Sequence, residues 1–298
     1  MVHANKIKNT SSDKVFITAV YVIGSIFLLA CAYPLIYVIS ASFSDPNEII
    51  SGSMWLFPRG IQLDAFKGVL KESRIWTGYL NTIIYSVTGT AINIALTTMA
   101  AYPLSRKELY GRSVITFLIT FTMFFSGGLI PNFLLVKSLG MYNTMWALII
   151  PGSISVYNFL IMRNYFQTSI PEEMIEAAYM DGCTNIGALF KIVLPLSKSI
   201  LAVMFLFYLV AHWNDYFNAL IYIRDSAKYP LQIFIREILI KNSYGFLSTG
   251  GDQVQEASML FTSMQYAVIL VASIPVLVIY PFMQRYLVKG VMLGSIKG

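Results

Sequence analysis

Long apolar runs separated by short polar interruptions set the element plan of this chain. A membrane-spanning helix needs about 20 largely apolar residues. Six stretches meet that need: Val15–Ile39, Leu80–Leu104, Val114–Val136, Met145–Met162, Ile200–Ile223 and Met264–Phe282. The pattern predicts an all-α membrane protein, with six transmembrane helices in a single domain over residues 1–298. The second stretch is the most polar, holding Asn81, Thr82, Ser86, Thr88, Thr90, Asn93, Thr97 and Thr98. Its small residues, Gly89 and Ala91 among them, let helix backbones approach closely, which places it inside a bundle. The third carries Ser126-Gly127-Gly128 and then Pro131, so its helix is expected to break there. Broken backbone at membrane depth is tolerated only beside protein or a water-filled cavity. The first run continues unbroken past Leu28-Leu29-Ala30-Cys31 to Ile39, longer than the roughly 7–15 residues of a secretory core. It reads as a retained span.

Between the fourth and fifth runs the pattern changes character. The connecting segment, residues 167–196, contains EAAYMDGCTNIGALFKIVLP from Glu176 to Pro195. Ser169 and Glu172 stand at capping-box spacing with Pro171 between them, and Glu172 and Glu173 suit the positive end of a helix dipole. That helix can run to Asp181, where Gly182 supplies a left-handed stop. Thr184 can cap a second helix, in which Ile186, Leu189, Phe190 and Val193 form one apolar stripe. A solvated linker needs neither stripe nor caps. A membrane-surface helix wants a basic polar face, and this segment is richer in Glu and Asp. Local physics leaves a docking element and an ordinary surface helix both open.

Composition supports lipid as the main solvent. Only 12% of the 298 residues are charged against 56% hydrophobic, where water-soluble domains carry about 25% charged residues. Net charge is +6, but the 21 Lys and Arg are scattered singly, so no nucleic-acid partner is expected. Basic residues are densest near the N-terminus (Lys6, Lys8, Lys14), after the second run (Arg106, Lys107, Arg112), around the connecting segment and at the C-terminus. The positive-inside rule then puts both termini and that segment in the cytoplasm. Cys31 and Cys183 make no disulfide framework, and His3 and His212 have no companions at metal-ligand spacing. No metal, no catalytic residue and no bound cofactor are expected. A phosphate-binding loop of the form G-x-x-x-x-G-K-[ST] is absent, so any ATP chemistry belongs to a partner.

The segment also carries a family pattern. Glu176-Ala177-Ala178, Asp181, Gly182, Phe190 and Ile192-Val193-Leu194-Pro195 resemble the EAA loop of the integral membrane subunits of bacterial ABC importers. The tail QRYLVKGVMLGSIKG (Gln284 to Gly298) and WNDYFNALIYI (Trp213 to Ile223) are similar to the carbohydrate-uptake branch, in particular relatives of the maltose system's smaller permease. Ser199 departs from the proline common nearby in that branch. The resemblance implies a six-helix permease fold in the bacterial cell membrane, and import of a sugar or oligosaccharide. It also implies as partners a second permease subunit, an ATPase dimer that uses ATP and Mg, an extracytoplasmic solute-binding protein and membrane lipid. It makes Glu176, Ala177, Ala178, Asp181 and Gly182 the ATPase-coupling contact.

Intramembrane polar residues mark functional positions by default. Trp213, Asn214, Asp215, Tyr216 and Asn218 cluster in the outer half of the fifth run. Amides, a carboxylate and aromatic faces suit sugar hydroxyls and ring C–H surfaces, so these residues are expected along the substrate path. Helix capping within the bundle is the competing role for Asn214 and Asp215. By resemblance the last outer loop, with Tyr244, Phe246 and Gly250, reaches the binding protein; a merely flexible loop is the alternative. The same architecture importing another polar solute, or a stand-alone secondary transporter, remain the other readings. The latter would want ion-coupling carboxylates near the midplane, and Asp215 is the one obvious candidate.

Overall fold

The computed structural model describes residues 10–245 and 252–295, with side chains over 10–240 and 262–284. Helices joined by turns and irregular loops make up the described residues, and no strand occurs among them. In chain order the helices are α1 (Ser11–Ser42), α2 (Pro46–Ile50), α3 (Asp64–Lys71), α4 (Ser73–Ser105), α5 (Arg112–Phe121), α6 (Leu129–Ser138) and α7 (Trp146–Ile149). They continue with α8 (Val156–Ser169), α9 (Glu172–Met180), α10 (Asn185–Ala188), α11 (Leu194–Leu196), α12 (Lys198–Trp213), α13 (Phe217–Tyr222), α14 (Leu231–Gly245) and α15 (Asp252–Ser295). Packing divides them into two compact units. One takes in the chain up to Lys71 with Ile238–Val271, the other Glu72–Glu237 with the residues from Ala272 onward.

In the first unit α1 is bare along its apolar length and buries only Ser40, Ala41 and Ser42 at its end. The turn that follows explains that local burial. Ser40 Oγ donates to Leu56 O at 2.6 Å, and Ser44 Oγ donates to Ser40 O at 2.7 Å. Asp45 caps α2 by accepting from Asn47 N at 2.8 Å, with Pro46 in the first turn, the arrangement expected where a helix N-terminus needs an acceptor and proline has no N–H to waste. Ala41, Ile49 and Met54 form the small core, with Tyr37 and Tyr266 packed on it edge to face at 6.0 Å.

The second unit is built on α4. Thr82, Ser86, Gly89, Thr90, Asn93 and Thr97 are buried along it, so the polar second run is an inner helix, as its small residues anticipate. Gly89 sits under His212 of α12 so closely that an added Cβ would come within 2.5 Å of Nε2. Asn93 Nδ2 lies 2.9 Å from the same nitrogen. Thr97 Oγ1 and Tyr208 OH are 2.6 Å apart, and Tyr208 OH accepts from Ser155 N at 3.2 Å. Below them Phe159, Met162, Phe166, Val193, Val203 and Met204 make a closed apolar cluster.

Among the described residues three helices, Ser11–Ser42, Ser73–Ser105 and Thr262–Gln284, are long and apolar enough to cross a membrane, and the bent pair Asn185–Leu196 with Lys198–Trp213 makes a fourth if it counts as one span. The third, fourth and fifth apolar runs are not continuous helices. The third stops at Phe121 and resumes at Leu129, across Gly128 at φ +87 with its N–H held by Ser126 Oγ. The run read as Met145–Met162 divides at Pro151-Gly152 into α7 and α8, because proline removes a donor and crowds the preceding turn. The run read as Ile200–Ile223 breaks after Trp213. There Asn214 turns its Nδ2 back onto Val210 O at 2.9 Å, a local bond that competes with the helix ladder.

Candidate functional site

Residues 167–196 fold as a helix, a tight reversal and a second helical segment. The capping box expected from Ser169 and Glu172 does not form. Ser169 is instead the last residue of α8, and Pro171 occupies the cap position of α9 without a side-chain bond. Glu172 is drawn away to Lys107, whose Nζ it binds at 2.5 Å; that hydrogen bond raises the Lys107 pKa above its ordinary value. Both Glu172 and Glu173 still lie in the first turn of α9, where negative charge is favoured.

The reversal at the other end follows from sequence. Cys183 N donates to Ala178 O at 2.9 Å and Gly182 N to Tyr179 O at 3.0 Å, with Gly182 at φ +78. This is a Schellman closure, which needs a left-handed residue and costs glycine nothing there. Thr184 then caps α10 by accepting from Gly187 N at 3.1 Å. Tyr179 OH donates to Asn185 Oδ1 at 2.6 Å, tying the two helices together. A π-type turn follows over Leu189–Val193 before Pro195, and α12 leaves at an angle of 84° from Asn185–Leu196. Leu194 N donates to Leu189 O across the widened turn, and Pro195 has no N–H with which to continue a regular ladder.

The π turn also changes which side chains share a face. The stripe expected from Ile186, Leu189, Phe190 and Val193 is split. Leu189 and Val193 are buried against Phe159 and Met162, while Ile186 and Phe190 are 70% and 63% exposed. In α9 Ile175 and Ala178 face inward, and Glu176 and Ala177 are exposed with Met180 at 89%. Asp181 and Gly182 are exposed at the tip. The segment is therefore two-faced, part of it anchored and part bare, with Met180, Ile186 and Phe190 its most exposed large apolar side chains. Met180 carries no periodic signal in the sequence and was not among the expected contacts.

The polar cluster of the fifth run separates by burial. Trp213 is only 5% exposed; its Nε1 donates to Ala272 O at 3.1 Å and its ring meets Tyr79 edge to face. It holds helices together. Asp215 accepts from both the backbone N and the side-chain Nδ2 of Asn218, at 3.2 and 3.0 Å, so it caps α13. Asn214 Oδ1 accepts from Gln232 Nε2 at 3.2 Å. Helix capping and interlocking thus occupy part of this cluster's bonding capacity. Asn214, Tyr216 and Asn218 remain exposed, with Asp215 half-buried.

A second polar knot had no sequence signal beyond a turn. Asn143 takes a left-handed φ of 60°. Its Oδ1 accepts from Arg224 N and Asp225 N, both at 3.0 Å, and its backbone O accepts from Lys228 Nζ at 3.0 Å. Asn81 Nδ2 donates to Ala227 O and Tyr229 O, and Thr82 Oγ1 accepts from Leu231 N. The 224–231 segment is pinned to α4 and to the 139–145 turn together. Tyr244 lies in α14 with its side chain outside the described residues, and Phe246 and Gly250 lie outside them altogether. No group of His, Cys, Asp and Glu able to hold a metal ion occurs among the described residues.

Residues 2–293 match the model of a family described as "Binding-protein-dependent transport system inner membrane component". The chain is 42% identical over 288 residues to a polygalacturonan/rhamnogalacturonan transport system permease protein of Bacillus subtilis, covering 96% of this chain and 99% of the relative. It is 39% identical over 299 residues to the protein LplC of the same organism, covering all of both. An arabinooligosaccharides transport system permease protein of Halalkalibacterium halodurans is 27% identical over 93% of this chain and 95% of its own. Among solved structures, a chain of a bacterial ABC transporter involved in the import of the acidic polysaccharide alginate superposes with a TM-score of 0.83 at 32% identity. That match covers 95% of this chain and 100% of the other.

Proposed function

The chain belongs to the family of inner membrane components of binding-protein-dependent transport systems, and from that premise we propose that it is a permease subunit of an ATP-driven importer of oligosaccharides. It lies in the bacterial cell membrane with both termini in the cytoplasm. Its partners are a second permease, a pair of ATPase subunits that use ATP and Mg, and an extracytoplasmic solute-binding protein. Six membrane crossings follow if the broken third, fourth and fifth apolar runs each complete one passage beside the partner permease. Broken helices at membrane depth need protein or a water-filled cavity beside them.

The observation that carries the reading is the two-faced segment 172–196. Its inner face is locked into the α4–α8–α12 core, so a push on the outer face moves that core. Glu176, Ala177, Asp181 and Gly182 supply the polar and close-approach contacts to the ATPase, and Met180, Ile186 and Phe190 supply the apolar ones. Ala178, buried against the chain itself, sets the seat of α9. Asp215, Tyr216, Asn214 and Asn218 offer amide, carboxylate and aromatic surface to a passing sugar, with Trp213 behind them as a brace. The 244–250 region reaches toward the binding protein.

Uronic-acid oligosaccharides head the expected cargo. The relative at 42% identity is named for polygalacturonan and rhamnogalacturonan, and the superposed importer for alginate. The test is ATP turnover of the reconstituted complex with its binding protein against a saccharide panel. Stimulation by galacturonate oligomers above neutral arabino-oligosaccharides is expected. Stimulation by amino acids or peptides, with none by any saccharide, would overturn the cargo assignment.

A further inference from the structure

Beside the root of α9, between the α4–α5 turn and the α8–α9 junction, lies a polar pocket of about 340 Å³. Arg106, Lys107, Arg112, Thr168, Glu172 and Glu173 line it. Its cations are not in equivalent states. Lys107 is paired with Glu172. Arg106 donates Nη2 to Phe166 O at 3.3 Å and stacks its guanidinium over the Tyr102 ring at 5.3 Å. Arg163, near enough to Arg112 to feel its charge, donates Nε to Leu104 O at 2.8 Å. Arg112 has no such outlet. Its Nη1 is buried without a hydrogen-bond partner, and no carboxylate stands within ion-pair distance among the described residues. A buried guanidinium nitrogen with no acceptor is costly until an acceptor reaches it. Glu173 and Glu108 are the nearby carboxylates left over, and neither does so.

Directly after Arg112 the chain becomes apolar and bare. Val114, Phe117 and Leu118 are exposed, and α5 has no buried residue. Arg112 thus stands both in the pocket wall and at the first position of α5, whose exposed apolar side chains follow from Val114. Planar guanidinium matches phosphate oxygens in a bidentate fit, and basic pockets at the ends of membrane helices take anionic headgroups.

We propose that this pocket binds a phosphate-bearing anion, the phosphodiester headgroup of an anionic phospholipid, with Arg112 as its principal ligand and the acyl chains lying along α5. Arg106 and Lys107 add charge at the rim. A lipid seated there bridges the α4–α5 turn to the first turn of α9, so the root of the segment is braced by the membrane itself. Lipid retention can be read with no ATP turnover, so this site and the transport reading stand or fall separately.

The test uses the chain in the complex with which it co-purifies, in phosphatidylcholine nanodiscs with and without phosphatidylglycerol. Spin-labelled phosphatidylglycerol should show a motionally restricted fraction that spin-labelled phosphatidylcholine lacks. Arg112→Gln should weaken that association about tenfold, the scale of one charge-assisted hydrogen bond. Arg112→Lys should fall between, keeping the charge and losing the fork. Equal restriction of both lipids by the unsubstituted complex would overturn the proposal, and that arm needs no variant to fold. Undiminished association in Arg112→Gln would overturn it too. Release of the labelled lipid by inorganic phosphate at matched concentration would identify the ligand as the free anion and overturn the lipid assignment.

Discussion

At Gly89 two effects can be ranked by size. Interhelical hydrogen bonds in membranes average about 0.6 kcal/mol, so losing the Asn93–His212 bond in Asn93→Ala is expected to lower the thermal midpoint of the assembled complex only slightly. A side chain at 89 must displace the imidazole ring itself, since even its Cβ would lie within 2.5 Å, and overpacking of a close contact costs typically 1–3 kcal/mol. Gly89→Val should therefore destabilise assembly more than Asn93→Ala; the reverse order would make the hydrogen bond the dominant tie. Asp215 allows a similar separation. Asp215→Asn keeps an acceptor for the Asn218 backbone N–H, so assembly should be retained while transport falls if the carboxylate meets sugar. Equal loss of assembly and transport in this variant would leave the residue a helix cap. The small residues of α4 and the polar cluster at 213–218 were legible in the sequence. That Trp213 turns inward was not, because its partner is a backbone carbonyl 59 positions away, which no local pattern reports.

Helix α9 is the element that the coupling proposal makes a lever. Its closure depends on Gly182 at φ +78, a conformation that costs other residues roughly 1–2 kcal/mol. Gly182→Val should leave the buried α8–α12 core intact and reduce sugar-stimulated ATP turnover, measured on the purified complex; unchanged turnover would remove the tip from the coupling role. Glu176→Lys should act likewise by reversing a charge on the exposed face. The Lys107–Glu172 pair predicts a pH response of definite sign. Because the folded Lys107 pKa is raised, the pair's contribution is complete below the unfolded lysine value of about 10.4 and is lost as pH rises through the folded one. Across the neutral range Lys107→Gln should therefore change coupling by a constant factor, and high salt should shrink it, since the pair is exposed. The Gly182 stop and the Thr184 cap could be read from residue type and spacing alone. The Ser169–Glu172 capping box could not be excluded that way, because a distant lysine outcompetes the local bond. The continuous stripe at 186–193 failed for a related reason: a π turn before Pro195 rotates the register that periodicity assumes to be regular.

For the whole molecule, apolar length was a good guide to where helix forms and a poor guide to its continuity. Val15–Ile39 and Leu80–Leu104 fall within single helices, whereas the runs at 114–136, 145–162 and 200–223 are divided at glycine, proline or asparagine. Helix breaks at membrane depth are tolerated beside protein or a water-filled cavity, and the proposed transport function gives these divisions such a setting. The mechanical account holds that ATPase motion enters through the bare face of 172–196 and leaves through α4, α8 and α12. Its most direct test is site-specific crosslinking in the intact complex with Cys31 and Cys183 replaced by serine. Single cysteines introduced at Met180, Ile186 and Phe190 should form crosslinks to the ATPase subunit whose yield changes when ATP is added. Absence of any crosslink to that subunit from all three positions, in a complex that still hydrolyses ATP, would contradict the account.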